Sequence, residues 1–294
     1  MGNKHSGVKE KVVAERDLKL NEDMEKVQKA LQEIKLSNDD MQEIGAMTVT
    51  EVVQKLNDRT LTSKTLVVAL STRAGTVGLN LGLITETNFF WALDRAELCD
   101  QKRRESGKKN WTFEDGEYSE EKFLPPMYGI PISVKDVYDM KGFKTTVGCF
   151  SKTNIQQEDS GLIVCLKNAG MIPFVRSTCC QIGMTFETMS NLWGRAKNPW
   201  NQERAVGGSS GGEGGLVSGR CSIIGLGSDI GGSIRIPSEF CGVFGLKPGS
   251  RRISPSYHSK LSVDFASFAK NIPLCLGPLT HHTEDLALFL KTAT

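Results

Sequence analysis

Histidine is scarce in this chain, with four among 294 residues. The base that most often activates a serine is therefore nearly missing, and any hydrolytic reading must find another one. Paired cysteines are lacking too. Cys99, Cys149, Cys165, Cys179, Cys180, Cys221, Cys241 and Cys275 contain no C-x-x-C pair and follow no secretory leader. They read as reduced, mostly buried thiols of a cytoplasmic protein rather than as a disulfide frame or a zinc site. Neither sign of charge dominates: 36 basic and 34 acidic residues leave a formal net charge of +2, which argues against a nucleic-acid partner. No run of about 18 apolar residues is present, so no membrane-spanning helix is expected. What remains has globular proportions, 39% hydrophobic and 24% charged, with length for one large domain or two small ones.

The opening residues MGNKHS place Gly2 and Ser6 in the M-G-x-x-x-[ST] pattern of N-myristoylation, with Lys4, Lys9 and Lys11 as flanking positive charge. A single acyl chain binds membrane with a constant of only about 10⁴ M⁻¹, so stable residence would need a second attachment. Val12, Val13, Leu18, Leu20, Met24, Val27, Leu31 and Ile34 then recur at helical spacing, which predicts an amphipathic helical arm over residues 1–36. Such an arm either docks on a partner or membrane, or packs on the body of the protein. Ser37 to Asp40 break it, and Thr48 with Glu51 forms a capping box that opens a helix through about Asn57. Helical patterns follow at 62–73 and 85–104, and the polar stretch 105–122 reads as a surface loop.

Beyond that loop the pattern becomes α/β. The run YGIPISVKDVYDM, 128–140, has the β-branched content of a strand with one lysine, Lys135, inside it. Desolvation disfavours the ammonium, so a buried Lys135 could serve as a neutral base near pH 7, whereas at a sheet edge it would simply reach solvent. A helix at 160–170 and a strand at 171–176 continue the alternation and predict a substantially parallel sheet.

Two glycine-rich segments follow, AVGGSSGGEGG at 205–215 and GLGSDIGGSIRIPSEFCGVFGLKPGS at 225–250. A phosphate-binding loop would need GxxxxGK[ST], which is absent, and GLGSDIGG misses the third glycine of a dinucleotide fingerprint. Gly207, Ser209 and Gly211 satisfy G-x-S-x-G literally, but that elbow requires a later histidine, and His258, His281 and His282 lie in no recognisable setting.

The segment 207–238, GGSSGGEGGLVSGRCSIIGLGSDIGGSIRIPS, resembles position by position the characteristic stretch of the amidase signature family of serine hydrolases. GIPISVKD, NLWGRAKNPWN, FCGVFGLKPGSRRIS and GPLTHHTEDLALFL are similar as well, so the resemblance runs over roughly residues 48–294. The acidic residue in GGSSGGEG and the wording DIGGSIRIPSEFCG look most like the fatty acid amide hydrolases. The resemblance implies a mixed, twisted β-sheet flanked by helices, with residues 37–294 as an amidase domain whose C-terminal part is missing. It implies Ser209 as nucleophile, Ser233 as a bridging serine, and Lys135 as a neutral base drawing a proton through Ser233. The N–H groups of Ile230, Gly231 and Gly232 would face the oxyanion, Asp229 and Arg235 would brace that loop, and Ser210 would add a polar contact. A cis peptide between Gly208 and Ser209 is implied too. Gly249 and Cys179 depart from the family pattern. The expected activity is hydrolysis of amides, those of fatty acids such as N-acylethanolamines, with no metal or other cofactor. The expected partners are a lipid amide, the membrane surface as a peripheral contact, and a second copy of the chain. The alternatives are an inactive truncated relative serving as a binding partner, and an amidase like the glutaminyl-tRNA amidotransferase subunit.

Overall fold

The structure, a computed structural model, describes residues 2–253 and 273–294. His258 and the end of the segment FCGVFGLKPGSRRIS lie outside the described residues. The arm is one helix, α1 (Gly2–Ile34), which buries Val12, Leu20 and Val27 against the body. Two capped helices follow. Ser37 pairs with Asp40 at the start of α2 (Asn38–Ala46), and Thr48 with Glu51 at the start of α3 (Val49–Asn57). In the second box each residue's side chain accepts the other's backbone N–H at 2.8 Å, which satisfies two donors the helix cannot pair internally.

α4 (Ser63–Arg73) is buried along most of its length and packs on α5 (Phe89–Ser106). The helix expected from residue 85 begins later, because Ile84–Thr87 form a strand, β1, fully buried against another part of the chain. Its β-branched Ile84, Thr85 and Thr87 suit a pleated surface better than a helical turn. The start of α5 has no cap of its own and borrows one from the arm. Asp23 of α1 accepts the N–H groups of Phe89 at 3.2 Å and Phe90 at 3.3 Å, and the Thr87 hydroxyl at 2.6 Å.

The remaining strands are β2 (Pro131–Lys135), β3 (Ile172–Ser177), the short hairpin β4 (Met189–Ser190) and β5 (Gly194–Arg195), β6 (Ile224–Asp229), β7 (Phe244–Gly245) and β8 (Cys275–Thr280). The helices between and after them are α6 (Gly161–Asn168), α7 (Gly211–Ser218), α8 (Arg235–Cys241) and α9 (Thr283–Ala293). One sheet has the order β1-β3-β2-β6-β8-β7. Only its centre is parallel: β2 runs parallel to β3 and β6, while β1, β8 and β7 pair antiparallel. The sheet is therefore mixed rather than substantially parallel. Its fully buried central strands, covered by flanking helices, carry few charges, and the exceptions define the site.

Candidate active site

Lys135 is the last residue of β2 and is 1% exposed. Burial drives its pKa below the ordinary lysine value, only partly offset by Cys179, Cys180, Asp229 and Glu213 around it. Its Nζ lies 2.7 Å from Ser209 Oγ and 3.2 Å from Ser228 Oγ. Ser209 follows a cis peptide after Gly208 and is itself only 2% exposed. Thus β2 and the first glycine loop, separate in sequence, meet at one lysine–serine contact.

Ser210 ties that loop to the second glycine segment. Its Oγ donates to Ser228 O at 3.2 Å and accepts from Ser228 N at 3.3 Å, while its N–H donates to Ser233 O at 3.0 Å. The last bond lays the backbone of Ser233 beside Ser209 and Ser210. Among the described residues, however, no hydrogen bond joins the Ser233 side chain to Lys135. The expected relay, in which Lys135 reaches Ser209 through Ser233, is corrected on this point. Lys135 touches Ser209 directly, because the loop folds under the end of β2, and Ser233 stands outside it, half-buried next to the exposed Gly231.

The oxyanion expectation is corrected in one residue. Asp229, fully buried at the end of β6, accepts from Gly232 N at 2.8 Å, Ile234 N at 3.0 Å and Arg235 N at 3.3 Å. The Arg235 guanidinium adds bonds of 3.1 and 2.9 Å to the same carboxylate. Burial alone would raise the Asp229 pKa, but these donors outweigh it and hold the carboxylate ionised. The Gly232 N–H is thus spent on bracing the turn. Among the described residues the N–H groups of Ile230, Gly231 and Ser233 have no acceptor, so they are the donors left for a substrate.

Several residues of the site carried no sequence signal as such. Ser228, the second partner of Lys135, was one hydroxyl among many. Asp136 and Arg176 form a buried ion pair at 2.9 Å directly after Lys135, and Thr146 links Asp136 to Trp193. Loop 181–189 forms a wall. A Cβ on Gly208 would meet Thr185 O at 2.6 Å, and one on Gly183 would lie 3.9 Å from Ser209 Oγ. In this wall Ile182 has φ +63° and donates its N–H to the oxygen of Val147, which has φ +48°. Such conformations in β-branched residues cost on the order of 1–3 kcal/mol each and persist only where the surroundings impose them. The same loop exposes Ile182, Met184, Phe186 and Met189. Gly2 lies at the other end of the chain, at the start of α1.

Among the described residues no group of three or more His, Cys, Asp or Glu side chains is placed to hold a metal ion, and no helix is long and apolar enough to cross a membrane. Compared with protein families, residues 105–294 match the one described as Amidase. The chain is 35% identical to human fatty-acid amide hydrolase 2 over 209 residues, which are 71% of this chain and 37% of that protein. It is 32% identical to the vitamin D3 hydroxylase-associated protein of Gallus gallus, over 91% of this chain and 53% of that one. Among solved structures, one of a fatty acid amide hydrolase superposes with a TM-score of 0.76 at 29% identity, covering 92% of this chain and 45% of the other. The chain thus spans about half or less of the length of these relatives.

Proposed function

From the chain's membership of the amidase family, which the match over residues 105–294 shows, we propose that it hydrolyses amide carbon–nitrogen bonds with Lys135 as base, and that its substrates are fatty acid amides. The contact of 2.7 Å between the buried Lys135 and Ser209 carries this reading. Once burial has removed the ammonium proton, the Nζ lone pair accepts the proton of Ser209, and Ser209 in turn accepts that of Ser233. The Ser233 oxygen then attacks the carbonyl, and the N–H groups of Ile230, Gly231 and Ser233 receive the oxyanion. Collapse of that intermediate needs a proton on the leaving amine, and the same chain of hydroxyls returns it from Lys135. Water then releases the acid from Ser233 by the reverse sequence. In this order Ser209 is the bridge and Ser233 the nucleophile, the opposite of the assignment carried over by resemblance alone.

A fluorophosphonate probe tests it. Labelling is expected at Ser233, abolished by Ser233→Ala and reduced by about 10²-fold or more in Ser209→Ala and Lys135→Ala. Adduct formation at Ser209 that survives Ser233→Ala would return the nucleophile to the inner serine. A folded chain that never labels would support the non-catalytic alternative.

The apolar side chains of loop 181–189 beside the site support a long acyl chain as the substrate's other half. Each methylene buried there contributes about 0.8 kcal/mol, so kcat/KM is expected to climb roughly fourfold per carbon over a series of short to medium acyl amides. A flat series would remove the lipid assignment and leave the amidase. Myristoylation at Gly2 belongs to the same proposal, as a way of bringing the chain to the surface in which such amides dissolve. Incorporation of a clickable myristate that is lost in Gly2→Ala is the expected result.

A further inference from the structure

The acidic residue of GGSSGGEGG takes no part in the chemistry above, yet it is wholly buried. Glu213, 0% exposed, lies on the first turn of α7, the helix that continues directly from Ser209 and Ser210. Its Oε2 accepts a hydrogen bond from the hydroxyl of Ser133. Ser133 is two residues before Lys135 on β2, so both side chains stand on the same face of that strand. Ser177, which pairs with Lys135 in the register of β2 and β3, is buried too, and its hydroxyl favours the ionised carboxyl although Oγ and Oε1 form no hydrogen bond of good geometry. The strand behind is cut to fit: a Cβ on Gly225 of β6 would come within 2.2 Å of Glu213 Oε2. The carboxyl therefore occupies a space that β2, β3 and β6 leave under the lysine.

We infer that Glu213 is a positioning residue for the lysine base: it holds Ser133 and, when ionised, sets a buried negative charge behind Lys135 that favours the ammonium. The inference rests on the assignment of Lys135 as base. Burial pushes the Glu213 pKa up to about 7, against the hydroxyls of Ser133 and Ser177 and the positive charges of Lys135 and Arg176. Its charge therefore changes near neutral pH, and when ionised it opposes the loss of the Lys135 proton. Among the described residues the other groups facing it are few. Tyr138 stands beyond β2, β6 and α8 contribute the Asp229–Arg235 ion pair and the exposed Glu239, and β8 carries no charge.

The test follows Lys135 itself, by NMR of the full chain carrying ¹³Cε-lysine, with its resonance assigned by its loss in Lys135→Met. Glu213→Gln keeps the shape and removes the charge, so the Lys135 midpoint is expected to fall by about one pH unit. Ser133→Ala removes the bond that favours ionised Glu213, and the midpoint is expected to fall again, by less. This second variant serves if the first does not fold. Midpoints unchanged in the folded variants would overturn the inference. Fluorophosphonate labelling of the same samples separates the two claims. A shifted midpoint in a parent chain that never labels leaves the positioning role standing and sinks the hydrolase, and labelling without any shift does the reverse.

Discussion

A lysine enclosed at the end of a strand is costly to the fold, and the cost has a sign in pH. The folded state holds Lys135 with a depressed pKa, so between that value and the ordinary one near 10.5 the unfolded chain binds more protons than the folded chain. The contribution of Lys135 to stability therefore improves as pH rises through this window. Lys135→Met is expected to be more stable than the parent by on the order of 1 kcal/mol or more near pH 7, with the gain shrinking towards pH 10. Urea titrations at several pH values check this, and a gain that grows with pH would show that the lysine is not held neutral. The sequence marked this residue as one basic side chain in an apolar run, but left open whether it was buried or reached solvent at a sheet edge, which the structure decides at 1% exposure. Which serine it touches was not legible. Ser209 and Ser233 each lie in a glycine segment of the same character, and only the fold of the loop under β2 separates them.

At the scale of the element, the two glycine segments contain two kinds of glycine. A Cβ on Gly212 would meet the backbone oxygen of Thr178 at 2.3 Å, so this helix can approach β3 only because the side chain is absent. Gly231, in the turn after β6, has nothing within 4 Å of its would-be Cβ. Gly212→Ala is expected to lower the melting temperature and the labelling rate together, at a cost of roughly 1–3 kcal/mol. Gly231→Ala is expected to leave the melting temperature nearly unchanged while slowing amide hydrolysis about tenfold, through crowding of the oxyanion approach. Equal losses of stability in the two variants would contradict this division. The sequence announced the α3 capping box, α6 and β2 because their signals are local. It hid β1, whose pairing with β3 lies about 90 residues downstream, and it hid the use of the Gly232 N–H by Asp229, since a glycine loop does not say which donors its own side chains will take.

Across the whole molecule, distant segments finish one another's helices. Asp23 of the arm caps α5, and Asp285 of α9 accepts the N–H groups of Val49 at 3.0 Å and Thr50 at 3.2 Å at the start of α3. Asp285→Ala is expected to cost about 1–2 kcal/mol in urea unfolding, with Asp285→Asn recovering only part of it, since the amide keeps one of the two acceptor oxygens. No loss in the alanine variant would mean that water caps α3 equally well. The arm also bonds to the neighbourhood of the lysine. Lys144 reaches Glu15 at 3.1 Å, and the Arg16 guanidinium lies 5.7 Å from the centre of the Trp193 ring, whose Nε1 donates to Thr146.

The partnership of Asp285 with Val49 spans 236 residues of chain. On a ribosome adding about 5–20 residues per second, those 236 residues take roughly 12 to 47 s to make. Throughout that interval α3 is already synthesised with its local Thr48–Glu51 box, while the N–H groups of Val49 and Thr50 have only water to bond. The Asp285 cap of α3 therefore waits for α9, and a nascent chain released earlier would carry α3 without it.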